Sequence, residues 1–153
     1  MDKTKYKRFR KALTTWLRAD VDLVSLTEYT TSNRSIYVAA RDEVAIVPCL
    51  RCTEVHQGGL IPDVDDGIYI TQVICAAFAG TKLIALEIIG ALEVLAEQNT
   101  ETKKDASFNT DNIRTVGLRS LGLFPGVGEL EVGQEDGVYA ASLALEIRWM
   151  DNA

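Results

Sequence analysis

The sequence predicts one α+β domain in which a mostly antiparallel four-stranded sheet packs against an N-terminal amphipathic helix and a central helix. Two patterns carry this prediction: apolar residues recur at helical spacing in two separate segments, and residues 139–149 alternate apolar and polar with a period of two. The elements follow the order α-β-β-α-β-β. A chain of 153 residues without an internal repeat or a linker fits a single domain, residues 1–153.

The first helix is expected over residues 4–18, because its apolar residues fall on one helical face. These residues are Tyr6, Phe9, Leu13, Trp16 and Leu17. A polar stretch follows, with a short helical piece near 21–26, and residues 36–38 are expected to form a short strand.

Two strands should then pair in antiparallel fashion. Residues 44–56 are β-branched and apolar enough for a strand, and Pro48 favours an edge position or a bulge there. Residues 68–78 are apolar on both faces, which is typical of a central strand covered on each side.

The central helix is the clearest secondary-structure prediction. Gly80 ends the preceding strand, Thr81 is a suitable N-cap, and residues 82–98 carry a helical apolar pattern. Its predicted core stripe is Ile84, Ile88, Ala91, Leu92 and Leu95, and its predicted solvent-facing acids are Glu87, Glu93 and Glu97. Residues 99–112 are expected to form an exposed loop, 113–124 a strand, and 125–137 further loop structure before the final strand.

The charge distribution is uneven. The net charge is −6, but residues 1–18 hold seven bases against one acid, so the remainder holds nine bases against 21 acids. A basic helix on an acidic body indicates a solvated helix face, contact with a protein partner, or contact with nucleic acid. No basic stripe with interleaved aromatic residues supports the nucleic-acid option.

Composition excludes other classes. Apolar residues make up 47% of the chain and charged residues 25%, which is typical of a globular protein. No apolar run reaches membrane-spanning length, and no signal-peptide core follows the charged start, so we expect synthesis in a cytosol and no membrane partner. Three cysteines do not make a disulfide framework, and we expect reduced, mostly buried thiols.

The sharpest chemical motif is Cys49-Leu50-Arg51-Cys52 with His56 nearby. Zinc would need a second ligand pair, and His56 is the only histidine of the chain. Thiol–disulfide chemistry would need the motif at a helix N-terminus, but residues 44–56 are predicted as a strand, in which residues three apart face opposite ways. Structural cysteines are therefore the preferred interpretation.

Other motifs fail on spacing. Asp63-Val64-Asp65-Asp66-Gly67 lacks the ligand positions of a calcium loop and is better explained as a turn. Gly80-Thr81-Lys82 has the wrong order for a phosphate loop, and Gly126 with Gly128 lacks the third glycine of a dinucleotide fold. A lone histidine without a nucleophile elbow does not indicate a triad, and no carboxylate pair stands out. We therefore predict neither enzymatic activity nor a cofactor or metal.

Read in order, several segments resemble the tail-terminator, or tail-completion, proteins of long-tailed bacteriophages (the minor tail protein U-like family). The segments are KALTTWLRAD, the Ile36-Tyr37 step, VAIVPCLRCTEVHQGG, YITQVICAAFAGTKLIALEIIGALEVL and the closing VYAASLALEIRWM. The alternating run that ends in Arg148-Trp149 is the most similar part. The basic first turns, residues 99–112 and residues 125–137 differ from the family.

The resemblance implies a structural virion protein that forms a ring on the tail tube, ends tube polymerisation and joins tail to head. It implies a homo-hexamer assembled in the host cytoplasm, with the tail tube protein and a head-completion or connector protein as partners, and with DNA only passing through the lumen. The alternatives are another phage neck or head–tail connector subunit, or a non-viral α+β module that binds a small molecule or a protein.

A closing ring needs a heterologous interface between neighbouring copies. We expect it to use the basic helix, the strand marked by Pro48, and the two long loops. The candidate interface residues are Lys7, Arg8, Arg10, Lys11, Pro48, Lys103, Lys104, Pro125, Glu129 and Glu131.

Overall fold

The computed structural model describes residues 4–38, 47–56, 68–98, 108, 113–123, 128–129 and 138–151. Its helices are α1 (Lys5–Ala19), α2 (Val21–Thr27) and α3 (Lys82–Gln98). Its strands are β1 (Ile36–Val38), β2 (Cys49–His56), β3 (Ile68–Ala79), β4 (Ile113–Leu123), β5 (Gly128–Glu129) and β6 (Tyr139–Asp151). The predicted α+β class is confirmed. Over these described residues the sheet has six strands rather than the predicted four, because the short segments β1 and β5 also join it.

The sheet is mixed and runs in the order β1-β2-β3-β6-β4, with β5 attached to one end of β6. Among the six described strands, β1 and β2 are parallel and the other pairs are antiparallel. β3 lies between β2 and β6, as its apolar sequence predicts. Within the part of the chain that the structure describes, β1 and β4 are the outer strands.

The predicted edge position of the second strand is wrong. β2 pairs with β3 along its whole length, and Leu50–Cys52 also pair with β1 on the other side. Pro48 comes immediately before the first residue of β2, where its missing N–H group removes no ladder hydrogen bond. Residues 44–46 of the predicted strand lie outside the described residues.

The main core lies between the helices and one face of the sheet. Alternate residues of the two central strands enter it, among them Val73 and Cys75 from β3 and Leu143 and Leu145 from β6. The largest fully buried side chains are Trp16, Trp149, Phe9 and Phe108. Each large apolar side chain buried in this way stabilises the fold by about 1.5–3 kcal/mol.

Phe108 corrects one prediction. It belongs to the segment 99–112, which was expected to be an exposed loop, yet its side chain is completely buried. Its ring lies edge-on to Trp16 at 5.0 Å and to Phe9 at 6.2 Å between ring centroids. The burial of Phe108 could not be predicted because the residues around it in the sequence are mostly polar.

The opposite face of the sheet carries a second group of buried residues at one end. Ala76 and Phe78 of β3 form a second, smaller cluster there with Cys49, Val138 and Ala140. Ile70, Gln72 and Ile74, farther along the same face of β3, are only partly buried. The predicted burial of β3 on both faces therefore holds for its C-terminal end.

The predicted helices are confirmed with small changes of boundary. Thr81 caps α3, since its hydroxyl oxygen accepts a hydrogen bond from the Ile84 backbone N–H at 3.2 Å. The core stripe of α3 is rotated by about one residue from the prediction, and Ile84 and Ala91 lie at its border. The buried residues are Ala85, Ile88, Ile89, Leu92, Leu95 and Ala96. Among the described helices, none has the length and apolar character needed to cross a membrane.

Candidate functional site

The basic helix α1 is fixed to the sheet by a group of aromatic rings. Phe9 stacks on Trp149 of β6, with 4.8 Å between ring centroids, and Tyr6 lies 4.3 Å from the ring of His56 on β2. The Lys5 ammonium lies 4.4 Å from the centre of the Tyr69 ring. Because these contacts reach β2, β3 and β6, the charged side chains of α1 stand at defined positions on the body.

Arg8 joins α1 to the end of β6. Its Nε donates to Oδ1 of Asp151 at 3.1 Å and its Nη2 donates to Oδ2, which makes a two-pronged guanidinium–carboxylate pair. Its Nη1 donates to the Thr4 hydroxyl oxygen at 2.6 Å. The Arg8 side chain is 20% exposed and that of Asp151 is 10% exposed, so water screens this pair only partly.

Arg10 joins α1 to β2 through Glu54. The guanidinium donates to Oε1 of Glu54, whose side chain is almost fully buried, and Oε2 of Glu54 lies 3.2 Å from Nε2 of His56. Burial alone would raise the pKa of Glu54, but the polar contacts with His56 and Arg10 outweigh it and lower that pKa below its ordinary value. Glu54 therefore stays ionised beneath the helix.

A line of polar contacts continues from Glu54 into the core. Nδ1 of His56 lies 2.8 Å from the Thr71 hydroxyl oxygen, which accepts a hydrogen bond from Nε1 of Trp149 at 2.9 Å. With the imidazole hydrogen on Nε2, the Thr71 hydroxyl donates to Nδ1 and the His56 N–H faces Glu54. The contacts then run from Trp149 through Thr71 and His56 to Glu54, whose Oε1 accepts from Arg10.

The sequence Thr71, His56, Glu54 has the order of a hydroxyl–imidazole–carboxylate triad, but its geometry is that of a structural network. The Thr71 side chain is only 1% exposed, and its oxygen is already occupied by the Trp149 N–H. A nucleophile must reach a substrate carbonyl, and this hydroxyl is covered. The network therefore positions α1 on the sheet.

A cleft of about 380 Å³ opens beside this network, lined by Tyr6, Lys7, Arg10, Glu54 and His56. Three of these side chains carry charged groups, on α1 and β2, and the Tyr6 and His56 rings form the aromatic part of the wall. Among the residues that the structure describes, no three potential metal-ligating side chains come together.

The structure describes four of the predicted interface cations, all on α1. Arg8 and Arg10 form ion pairs with acids of their own chain, and Lys7 and Lys11 are exposed. Pro48 precedes β2, and Glu129 lies in β5. Lys103, Lys104, Pro125 and Glu131 lie outside the described residues. The basic helix therefore meets part of the acidic body within one copy.

The outward face of α3 is a surface that the sequence analysis missed. Leu83 is 66% exposed, Val94 is 52% exposed and Leu86 is 36% exposed, and their spacing puts them on one side of the helix. Glu87 and Glu97 are exposed among them. A helical projection would have shown these apolar residues opposite the core stripe. We call Leu83, Leu86, Val94, Glu87 and Glu97 the α3 outer face.

The three cysteines divide between the two faces of the sheet. Cys49 packs in the smaller cluster, and burial raises the pKa of its thiol to about 11. Cys52 lies in the main core opposite Cys75 of β3, with 3.1 Å between the two sulfur atoms. The Cys49 and Cys52 side chains thus point to opposite faces, as strand geometry requires. The contact between Cys52 and Cys75 was not predicted.

No family model matches the chain, and no curated protein sequence matches it. Among solved structures, a chain of the virion of a native gene transfer agent particle has a similar fold, with a TM-score of 0.59. The correspondence covers 97% of this chain and 98% of that chain, at 13% sequence identity. At this identity the similarity establishes the fold.

Proposed function

We propose that this chain is a structural virion subunit of a tailed phage or phage-like particle. In this proposal it forms a homo-hexameric ring on the head-proximal end of the tail tube, ends tube polymerisation and carries the connector to the head. The observation that carries the proposal is the end-to-end correspondence of its fold with a chain of a virion, 97% and 98% of the two lengths. The segments that resemble tail terminators support the same role.

The charged surfaces suggest how copies would meet. Lys7 and Lys11 are exposed on α1, and the aromatic contacts of α1 hold them at fixed positions. The α3 outer face offers exposed apolar groups and two exposed acids. The two surfaces are complementary in charge, and they are different patches, which is what a head-to-tail contact in a ring requires.

The proposed ring contact therefore joins α1 of one copy to the α3 outer face of the next. Burial of Leu83 and Val94 would supply the apolar part of such a contact, and the lysines with Glu87 and Glu97 would supply orientation. A contact with this much exposed charge weakens as salt screens it.

The test is light scattering after size exclusion, at low and high salt, with negative-stain images of the same fractions. Each subunit has a mass of 16.8 kDa. A free hexamer is therefore expected at about 100 kDa, with a central hole in the images. If the ring forms only on addition of assembled tail tubes, it should be seen in the images of the tubes. A protein that stays monomeric in both settings and leaves tube length unchanged would contradict the proposal.

Variants locate the contact. Two double variants should each weaken the ring, namely Lys7→Glu/Lys11→Glu and Leu83→Ser/Val94→Ser. Each should raise the protein concentration needed for ring assembly at least tenfold. The matched control for charge is Arg34→Glu/Arg114→Glu, which changes two exposed cations elsewhere by the same amount. Equal loss of rings in the control would show that net charge, and not this contact, governs assembly.

A further inference from the structure

Cys52 and Cys75 occupy directly opposite positions on neighbouring antiparallel strands. They are register partners in the pairing of β2 with β3. Opposite residues of an antiparallel pair have Cα atoms about 4.5 or 5.5 Å apart, and both separations lie within the range that a disulfide spans. The two sulfur atoms are already 3.1 Å apart, so a bond needs them to approach by only about 1 Å.

The pair is isolated from the third cysteine and from solvent. Both thiols are completely buried in the main core, while Cys49 lies on the other face of the sheet. The hydrogen bond between the two thiols, together with burial, raises the pKa of Cys75 well above its ordinary value. The thiolate that starts exchange is therefore scarce in the closed fold, and a small disulfide has no direct access to either sulfur.

We propose that Cys52 and Cys75 are a latent disulfide site. The bond forms when a low-molecular-weight disulfide is present either while the chain folds or while the folded chain is transiently open. The dithiol is the form expected in a reducing cytosol, and the cross-linked form is the one expected after exposure to an oxidising medium. The bond would link β2 covalently to β3 and would close a loop between two positions that are 23 residues apart in the sequence.

The chemistry balances with a small disulfide as the oxidant. One protein thiolate attacks a sulfur of the small disulfide, breaks its S–S bond and releases one small thiolate. The second protein thiolate then attacks the resulting mixed disulfide and releases the second small thiolate. The two protein thiols lose two protons and two electrons, and the small disulfide is reduced to two thiols.

The test compares oxidation during refolding with oxidation of the unfolded chain. The full chain is refolded with oxidised glutathione, its free thiols are alkylated, and peptides are mapped by mass spectrometry. Before alkylation we expect a product about 2 Da lighter than the dithiol form, and after alkylation a peptide map with a Cys52–Cys75 cross-link and an alkylated Cys49. Oxidised in denaturant, the same chain should instead favour Cys49–Cys52, the shortest loop.

Stability gives a second measurement. The cross-linked form should melt about 5–10 °C above the dithiol form, and addition of a reductant after unfolding should abolish the difference. Cys52→Ala and Cys75→Ala should each remove the oxidation-dependent shift, whereas Cys49→Ala, at an equally buried position, should keep it. If a variant fails to fold, the peptide map of the wild-type chain still decides.

Three results would overturn the proposal. They are three alkylated cysteines after refolding with the oxidant, a Cys49–Cys52 bond in the refolded protein, and a stable mixed disulfide with glutathione. None of them bears on ring formation, so the disulfide site and the proposed virion role can fail separately.

Discussion

At the scale of single residues, Glu54 has the most consequential environment. It is a nearly buried carboxylate that holds α1 through Arg10 and lies next to His56. A buried acid is costly unless its charge is compensated, and here Arg10 of α1 supplies the opposite charge while His56 of β2 supplies a polar contact. Glu54 therefore links the acid stability of the domain to the docking of its first helix.

Glu54 should make the protein lose stability in acid. Its folded-state pKa lies below the ordinary value of 4.5, so its contribution is present above about pH 4.5 and disappears as the pH falls through the folded-state pKa. Glu54→Gln should lower the melting temperature by about 2–4 °C at pH 7. Over a series from pH 7 to pH 3, the difference from wild type should begin to shrink below about pH 4.5.

The measurement is thermal unfolding across that pH range. The control is Glu87→Gln, since Glu87 is an exposed acid on α3 and its variant should follow the wild-type curve. A constant difference between Glu54→Gln and wild type down to pH 3 would show that Glu54 does not titrate with a depressed pKa.

At the scale of elements, the two faces of α3 differ in environment. Its inner face fills the core with aliphatic side chains, and its outer face leaves leucine and valine in solvent. Gly90 lies on the outer side, is exposed, and has no atom within 4 Å of the position that a Cβ would take. A glycine in the middle of a helix destabilises the fold, and at this position no close packing within the monomer requires one.

Gly90→Ala should therefore stabilise the isolated subunit. Alanine in a helix interior is favoured over glycine by about 0.8–1 kcal/mol, which corresponds to a rise of roughly 2–4 °C in the melting temperature. Gly90→Ser should give a smaller rise, because serine is a weaker helix former. A fall in stability with alanine, measured by urea unfolding of the monomer, would contradict the open surroundings of this position.

The long elements could be predicted from the sequence because each has a strong period. The stripe from Phe9 to Leu17 predicted α1, and the alternation from Tyr139 onward predicted β6. β5 was missed because it has only two residues, too few to carry a period. Phe108 was missed because one buried ring among polar neighbours leaves no repeating signal.

The contacts of the candidate site were less predictable for a different reason. The sequence showed that α1 is basic, but it did not show that Arg8 would reach Asp151 or that Arg10 would reach Glu54. Those pairs depend on strand order, which places the end of β6 and the end of β2 under the same helix turn. The Cys52–Cys75 contact likewise depends on the register of β2 with β3.

At the scale of the whole molecule, the ion pair of Arg8 with Asp151 connects the first helix to the last strand. Its two-pronged geometry and partial burial should make it stronger than an exposed pair. The exposed pair of Arg119 with Glu146 provides a comparison, since Arg119 is 66% exposed.

A double-mutant cycle with Arg8→Gln and Asp151→Asn should give a coupling free energy of about 1–2 kcal/mol. The matching cycle with Arg119→Gln and Glu146→Gln should give less than about 0.5 kcal/mol. Both are measured by urea unfolding of the monomer. Equal coupling in the two cycles would show that the burial of the Arg8 pair adds nothing.

The docking of α1 also sets an order of events during synthesis. Phe9 stacks on Trp149, and Arg8 binds Asp151, so the groups that hold the first helix come far later in the chain, 143 positions later for the Arg8–Asp151 pair. A helix of this length is marginal by itself in water. On the ribosome, α1 therefore cannot dock until residues 139–151 have been made, and a nascent subunit does not display its lysines in their final arrangement until β6 has joined the sheet.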